Sequence, residues 1–129
     1  VTPLGTAVPL WIGATGKSIL AFLNEDEKTV IFEKIRNSMP HVYASGSNLD
    51  IDSLKNELER IKTSGYAVSV GERTPNACSV SAPIFTGNKV IASISAAGPI
   101  PRFNVSIAIS FGGLIAEMAG KISKSLFKV

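Results

Sequence analysis

The 129 residues are 45% apolar and 18% charged, which supports one globular domain with a core of its own and excludes a disordered chain. The formal net charge is only +3, and Lys121, Lys124 and Lys128 near the C-terminus read as a solvated helix end that suits the helix dipole, a nucleic-acid patch being the alternative. Cys78 is the only cysteine, so an internal disulfide is excluded and a reducing cytoplasm is the expected setting.

No apolar run is expected to reach membrane-spanning length, and no signal-peptide layout opens the chain. The chain begins at Val1 and reads as a domain truncated at its start. Ala7 to Ile12 is apolar and reads as a strand or extended entry, broken by Gly13-Ala14-Thr15-Gly16. Lys17 to Leu23 follows as a short helix. Asn24 caps a second helix with Glu27 as its capping-box partner, and Val30, Ile31, Phe32 and Ile35 supply an apolar stripe. Asn37 to Asn48 is a loop that leaves room for one short strand around Val42-Tyr43.

Asp50 is the next N-cap. Ile51, Leu54, Leu58 and Ile61 lie on one helical face, and Gly65 closes that helix in the left-handed conformation. Tyr66 to Val70 reads as a strand and Gly71 to Ala77 as a loop. Cys78–Phe85 and Lys89–Ala97 are the strands of a hairpin, stopped by Gly98-Pro99. From Asn104 to Leu126 the pattern is helical, with Ile107, Leu114, Met118 and Ile122 among its apolar positions. Gly112-Gly113 inside it cost about 1 kcal/mol each relative to alanine and point to close packing against a sheet or a second subunit. Helices first, then a hairpin and a long closing helix, indicate an α+β fold with helices packed on an antiparallel sheet.

If Thr86-Gly87-Asn88 is a three-residue turn, Phe85 faces Lys89, Ser81 faces Ser93, Ser79 faces Ser95 and Ala77 faces Ala97. All of these share one face. The other face, Cys78, Val80, Ala82 and Ile84 against Val90, Ala92, Ile94 and Ala96, is a core. A two-residue turn would mix the faces. Small hydroxyls on a rigid sheet suit a small-molecule pocket, a solvated polar face being the plainer alternative.

Other chemistries find little support. Gly13 to Ser18 ends in Gly-Lys-Ser, but a phosphate-binding loop requires glycine where Trp11 stands, and Lys17 reads as a surface residue. His41, the only histidine, lies in a loop far along the chain from Cys78 and reads as solvated; the two cannot set up a metal site between them. Asp50, Asp52, Glu57 and Glu59 are explained by capping and solvation. No catalytic residue and no cofactor is expected.

GATGKSILAFL (Gly13 to Leu23), LKNELERIKTSGYAVSVGE (Leu54 to Glu72), SVSAPIF (Ser79 to Phe85) and SISAAGPIPR (Ser93 to Arg102), in this order and spacing, resemble the effector-binding domain of IclR-type transcriptional regulators. The resemblance covers most of the chain. It implies a GAF-like fold, a cytoplasmic protein, a homo-dimer or tetramer, and the sensing of a small organic-acid or aromatic metabolite. It also implies that operator DNA is bound only through a winged helix-turn-helix absent from this chain, and that the first strands and helix of the usual domain are missing. A stand-alone GAF-like binding module without a DNA role is the alternative. The effector site implied by the resemblance comprises Ala14, Thr15, Ser69, Ala77, Ser79, Ser95 and Ala97. Backbone N–H groups at Ala14 and Thr15 would hold a carboxylate. Ser69 stands where the family carries an acidic residue, Ser79 where it often carries cysteine, and Ala97 lacks a hydroxyl the family has.

Overall fold

The computed structural model describes residues 9–127, with elements in the order α1 (Ala14–Leu20), α2 (Glu25–Asn37), α3 (Ile51–Ser64), β1 (Ala67–Val70), β2 (Ala77–Thr86), β3 (Lys89–Pro99) and α4 (Val105–Phe127). Of the expected strand before α1, Ala7 and Val8 lie outside the described residues, as does Lys128. Pro9 to Ile12 forms a turn, with the Ile12 N–H donating to the Pro9 carbonyl at 3.4 Å. The first helix begins three residues earlier than its expected start at Lys17. Gly13, at φ 90°, makes the break alone. Gly16 lies within the helix, and it is glycine because the Leu10 backbone passes over it: a Cβ there would lie 2.5 Å from the Leu10 oxygen.

The other two N-terminal helices start and stop where their caps dictate. Asn24 Oδ1 accepts from the Glu27 N–H at 2.8 Å while Glu27 Oε1 accepts from the Asn24 N–H at 3.2 Å, closing the capping box of α2. Phe32 and Ile35 are buried and Ile31 packs partly, whereas Val30 points to solvent rather than joining the stripe. Asp50 Oδ2 accepts from the Ser53 N–H and hydroxyl at 2.9 and 2.7 Å, and Gly65 ends α3 at φ 86°. Leu54, Leu58 and Ile61 are buried as their spacing predicts. In the loop between α2 and α3, Val42 makes an isolated bridge to Asn48 in place of a strand.

The three strands form an antiparallel sheet in the order β1-β2-β3. Here the hairpin corrects the expectation. Thr86 pairs with Lys89 across a two-residue turn, and a bulge follows: Phe85 pairs with Val90 but Ile84 with Ala92, so Ile91 is extra. Below the bulge Ser81 faces Ser95, Ser79 faces Ala97, Pro83 faces Ser93 and Ala77 faces Pro99. Every partner has moved by two places from the three-residue-turn register, which leaves each side chain on its expected face. Above the bulge, however, Val90 crosses from the apolar set to the hydroxyl face with Phe85. The ladder also runs through Gly98-Pro99, which were expected to stop it.

Helices cover both faces. α1 lies across the hydroxyl face, and Ala14, Leu20, Ala21, Phe32, Ile35, Leu54, Leu58, Ile61 and Ala67 form one core beneath α2 and α3. α4 lies on the other face, where Cys78, Val80, Ala82 and Ile84 pack against Ala108, Ile115 and Ala119. The α4 positions that looked core-forming point the other way: Leu114, Met118 and Ile122 are exposed, and Ile107 is only partly covered. Small residues face the sheet because the helix sits close to it; a Cβ on Gly112 would lie 2.4 Å from the Tyr66 ring. Gly113 has nothing within 4 Å of that position and is not a packing glycine. Against expectation, Val105–Leu126 is long and apolar enough to cross a membrane by length and composition, with mean hydropathy 1.4 over its apolar window. Its sheet-facing side and the bond from the Phe85 N–H to Ser123 Oγ at 2.9 Å tie it into the fold.

Candidate functional site

Four hydroxyls of the sheet meet one another or Thr15 of α1, whereas Ser93 Oγ is buried without a hydrogen-bond partner among the described residues. Ser69 on β1 and Ser79 on β2 are 2.8 Å apart, Ser81 and Ser95 2.6 Å apart, and Thr15 Oγ1 lies 2.8 Å from Ser95 Oγ and 3.3 Å from Ser81 Oγ. Each hydroxyl can donate one bond and accept two, so the partly exposed members keep capacity for a further partner. Ser81 is completely buried beneath α1, whereas Thr15, Ser79 and Ser95 reach the surface.

A cleft of about 170 Å³ opens where the start of α1 overhangs this face. Ala14 and Thr15 form one wall, Ser69, Ala77 and Ser79 the floor, and Ser95 and Ala97 the far side. All seven residues implied by the resemblance therefore line one opening. Ser81 and Ser93, on the same sheet face, do not line it. Gly13, Glu72, Arg73, Thr74 and Cys78 complete the lining. The N–H groups of Ala14, Thr15 and Gly16 have no partner within α1, because the first intrahelical bond is from the Lys17 N–H to the Gly13 carbonyl at 3.1 Å.

Lys17 is not a surface residue. Its side chain is fully enclosed, and its ammonium donates to Glu57 Oε2 of α3 at 2.8 Å and to Glu72 Oε2 of the β1–β2 loop at 2.5 Å. Glu72 Oε1 accepts from the Gly13 N–H at 2.8 Å, so both of its oxygens are engaged. Glu57 is thus an ion-pair partner and not merely a solvated carboxylate. Burial, then the negative charges of Glu72 and Glu57, push the Tyr43 phenol well above its ordinary pKa. Sequence reasoning missed Glu72 and Arg73 as rim residues. The two directly follow Gly71, the residue after the end of β1, a position that on an antiparallel sheet comes back to the mouth of the neighbouring strand.

Cys78 is buried on the α4 face, where burial raises its thiol pKa despite an opposing backbone hydrogen bond from Ser79. His41 is half-buried, with its ring edge-on to Tyr43 at 5.7 Å, rather than freely solvated. Among the described residues no group of three or more His, Cys, Asp or Glu side chains is placed to hold a metal.

A three-stranded antiparallel sheet with helices on both faces and a small cleft under the first helix is an α+β domain of the GAF-like kind. Residues 1–124 match the family model described as the bacterial transcriptional regulator IclR C-terminal domain, and the chain belongs to that family. It is 32% identical over 125 residues to the HTH-type transcriptional repressor AllR of Salmonella typhi, covering 96% of this chain and 45% of that protein. It is 35% identical over 103 residues to the regulator KipR of Bacillus subtilis, covering 79% of this chain and 40% of the relative. The chain spans less than half the length of the curated relatives it matches. The IclR structure of Thermotoga maritima superposes with a TM-score of 0.82 at 33% identity, over 98% of this chain and 51% of that one. The inducer-binding domain of a PobR double mutant from Acinetobacter, crystallised with 3-hydroxybenzoic acid, shares the fold (TM-score 0.77, 20% identity, 95% of this chain and 72% of that one).

Proposed function

We propose that residues 1–129 form the effector-binding and oligomerisation domain of a cytoplasmic IclR-type regulator, and that the cleft under α1 is its effector site. The supporting observation is the convergence of Ala14, Thr15, Ser69, Ala77, Ser79, Ser95 and Ala97, drawn from α1 and all three strands, on one opening of about 170 Å³. A small organic acid or aromatic metabolite fits this lining. Its negative end meets the N–H groups at the start of α1 beside Arg73, and Ser79 and Ser95 orient the rest. The PobR neighbour, crystallised with a hydroxybenzoic acid, is a relative in fold whose ligand belongs to the same chemical class. In this reading operator DNA is met through a winged helix-turn-helix elsewhere in the full-length protein, and the domain itself is not an enzyme. The outward face of α4, with Leu114, Met118 and Ile122 exposed, supplies the contact between copies.

The test is a thermal-shift screen of small organic acids, followed by calorimetric titration of wild type and Ser95→Ala with each hit. Saturation at a hundred times the dissociation constant raises stability by about 2.7 kcal/mol. Ser95→Ala then weakens binding by about 0.5–1.5 kcal/mol if the group it meets is neutral, or about 1.5–3 if charged. Equal affinities, with the ligand found elsewhere in a co-crystal, overturn the assignment.

A further inference from the structure

Glu72 is out of place on the rim of a cleft read as a site for an anion. A carboxylate beside a bound anion repels it, and this one has the Glu57 carboxylate nearby as well. The geometry gives its role. One Glu72 oxygen accepts from the Gly13 N–H at 2.8 Å and the other from the Lys17 ammonium, which is also held by Glu57 at 2.8 Å. With both oxygens committed, Glu72 is withdrawn from the ligand. Lys17 is completely enclosed and so meets no ligand itself. The Arg73 stem passes over Gly13, with its Cδ 3.0 Å from where a Cβ would stand on that glycine. The loop that carries the cleft rim is therefore pinned to the start of α1 by one buried ammonium and one backbone bond.

We propose that Lys17 is a positioning residue that sets the charge preference of the cleft: it fixes Glu72 against the start of α1 and offsets its charge, leaving the cluster of Lys17, Glu57 and Glu72 with a single net negative charge instead of two, so that the opening favours an anionic small molecule over a cationic one more than it would without Lys17. The proposal rests on the reading of this cleft as the effector site, but its test needs no effector. Ala97 lines the cleft and its side chain takes part in no hydrogen bond, so Cys78→Ala with Ala97→Cys places the chain's only thiol there. The probes are two methanethiosulfonates of similar size, one ending in a sulfonate and one in a trimethylammonium. The ratio of their labelling rates reports the local potential, because a change in thiol reactivity affects both alike.

Lys17→Met is expected to shift that ratio about five-fold toward the cationic probe, Glu72→Gln to shift it comparably toward the anionic probe, and the double variant to return it to within about two-fold of the start. An unchanged ratio in Lys17→Met overturns the proposal. So does a double variant that stays shifted, because Glu72 is then not the charge that Lys17 offsets. If Lys17→Met does not fold, Glu72→Gln decides alone, and no shift toward the anionic probe overturns the proposal. Failure to find an effector in the cleft would leave these ratios unchanged, and flat ratios would leave the effector reading standing.

Discussion

On one side of β2, Cys78, Val80, Ala82 and Ile84 meet the small residues of α4; on the other, Ser79 and Ser81 meet the hydroxyls of Ser69, Ser95 and Thr15. The first contact excludes water by shape. Tyr66 fills the notch left by Gly112, and Ser123 Oγ accepts from the Phe85 N–H. The second contact is held by directional bonds among groups that also bond well to water, so its net contribution to stability is smaller and its geometry more exacting. One strand thus supports the fold on one side and presents an adaptable surface on the other, two residues at a time.

The contrast is broken most severely from the apolar side. Ile115→Ala removes a side chain that α4 buries against the sheet and is expected to cost about 2–5 kcal/mol in denaturant unfolding, the transfer and cavity terms together. Ser81→Ala, equally buried one strand position from Val80, is expected to cost only about 0.5–1.5 kcal/mol, since it removes one hydroxyl whose neighbours Thr15 and Ser95 still bond to each other. A larger loss for Ser81→Ala than for Ile115→Ala would reverse the assignment of the two faces.

The single thiol sharpens the same contrast kinetically. Cys78 is buried on the α4 side and its thiol pKa is raised by burial, so neutral reagents should label it only as fast as the sheet and α4 separate. Labelling of the native protein at the rate of a free thiol would place Cys78 on the cleft side instead. The smallest effect lies at the exposed N-cap of α3. Hydrogen bonds from the Ser53 hydroxyl and then its N–H hold the Asp50 carboxyl below its ordinary pKa. A depressed folded value means that the stabilisation is present above the unfolded value and is lost as pH falls through the folded one. Asp50→Asn should therefore match wild type in acid and fall behind it near neutrality; a gap of constant size at every pH would show that the charge is not what the cap uses.

What could be read from the chain follows the range of the interaction. The caps at Asn24, Asp50 and Gly65 and the buried face of α3 depend on residues three or four apart, and all were legible. So was the division of the hairpin into a hydroxyl and an apolar face, since alternation survives a register shift of two. The fate of Lys17 was not legible, because its partners lie 40 and 55 residues away and only the folded chain shows that they converge. The orientation of α4 misled for a different reason. Large apolar residues usually mark the buried side of a helix, but here close approach to the sheet selects Ala108, Gly112 and Ala119 and turns Leu114, Met118 and Ile122 outward. The cleft-lining residues were named through family resemblance; that Glu72 and Arg73 join them follows from the loop's return across the sheet.

The extra residue at Ile91 acts as a parity element. Were Ile91 paired in the ladder instead of bulged, the two-residue turn would set Ser81 opposite Ile94 and Ser79 opposite Ala96, turning branched carbons toward the cleft and hydroxyls toward α4. With the bulge, the pairs from Ala77↔Pro99 to Ile84↔Ala92 keep like with like. A change in the length of the hairpin tip therefore leaves the cleft lining intact only if turn and bulge together preserve these pairs. What such a tip must keep is less a length than a pairing, and the chemistry of the cleft depends on that pairing from well along the chain.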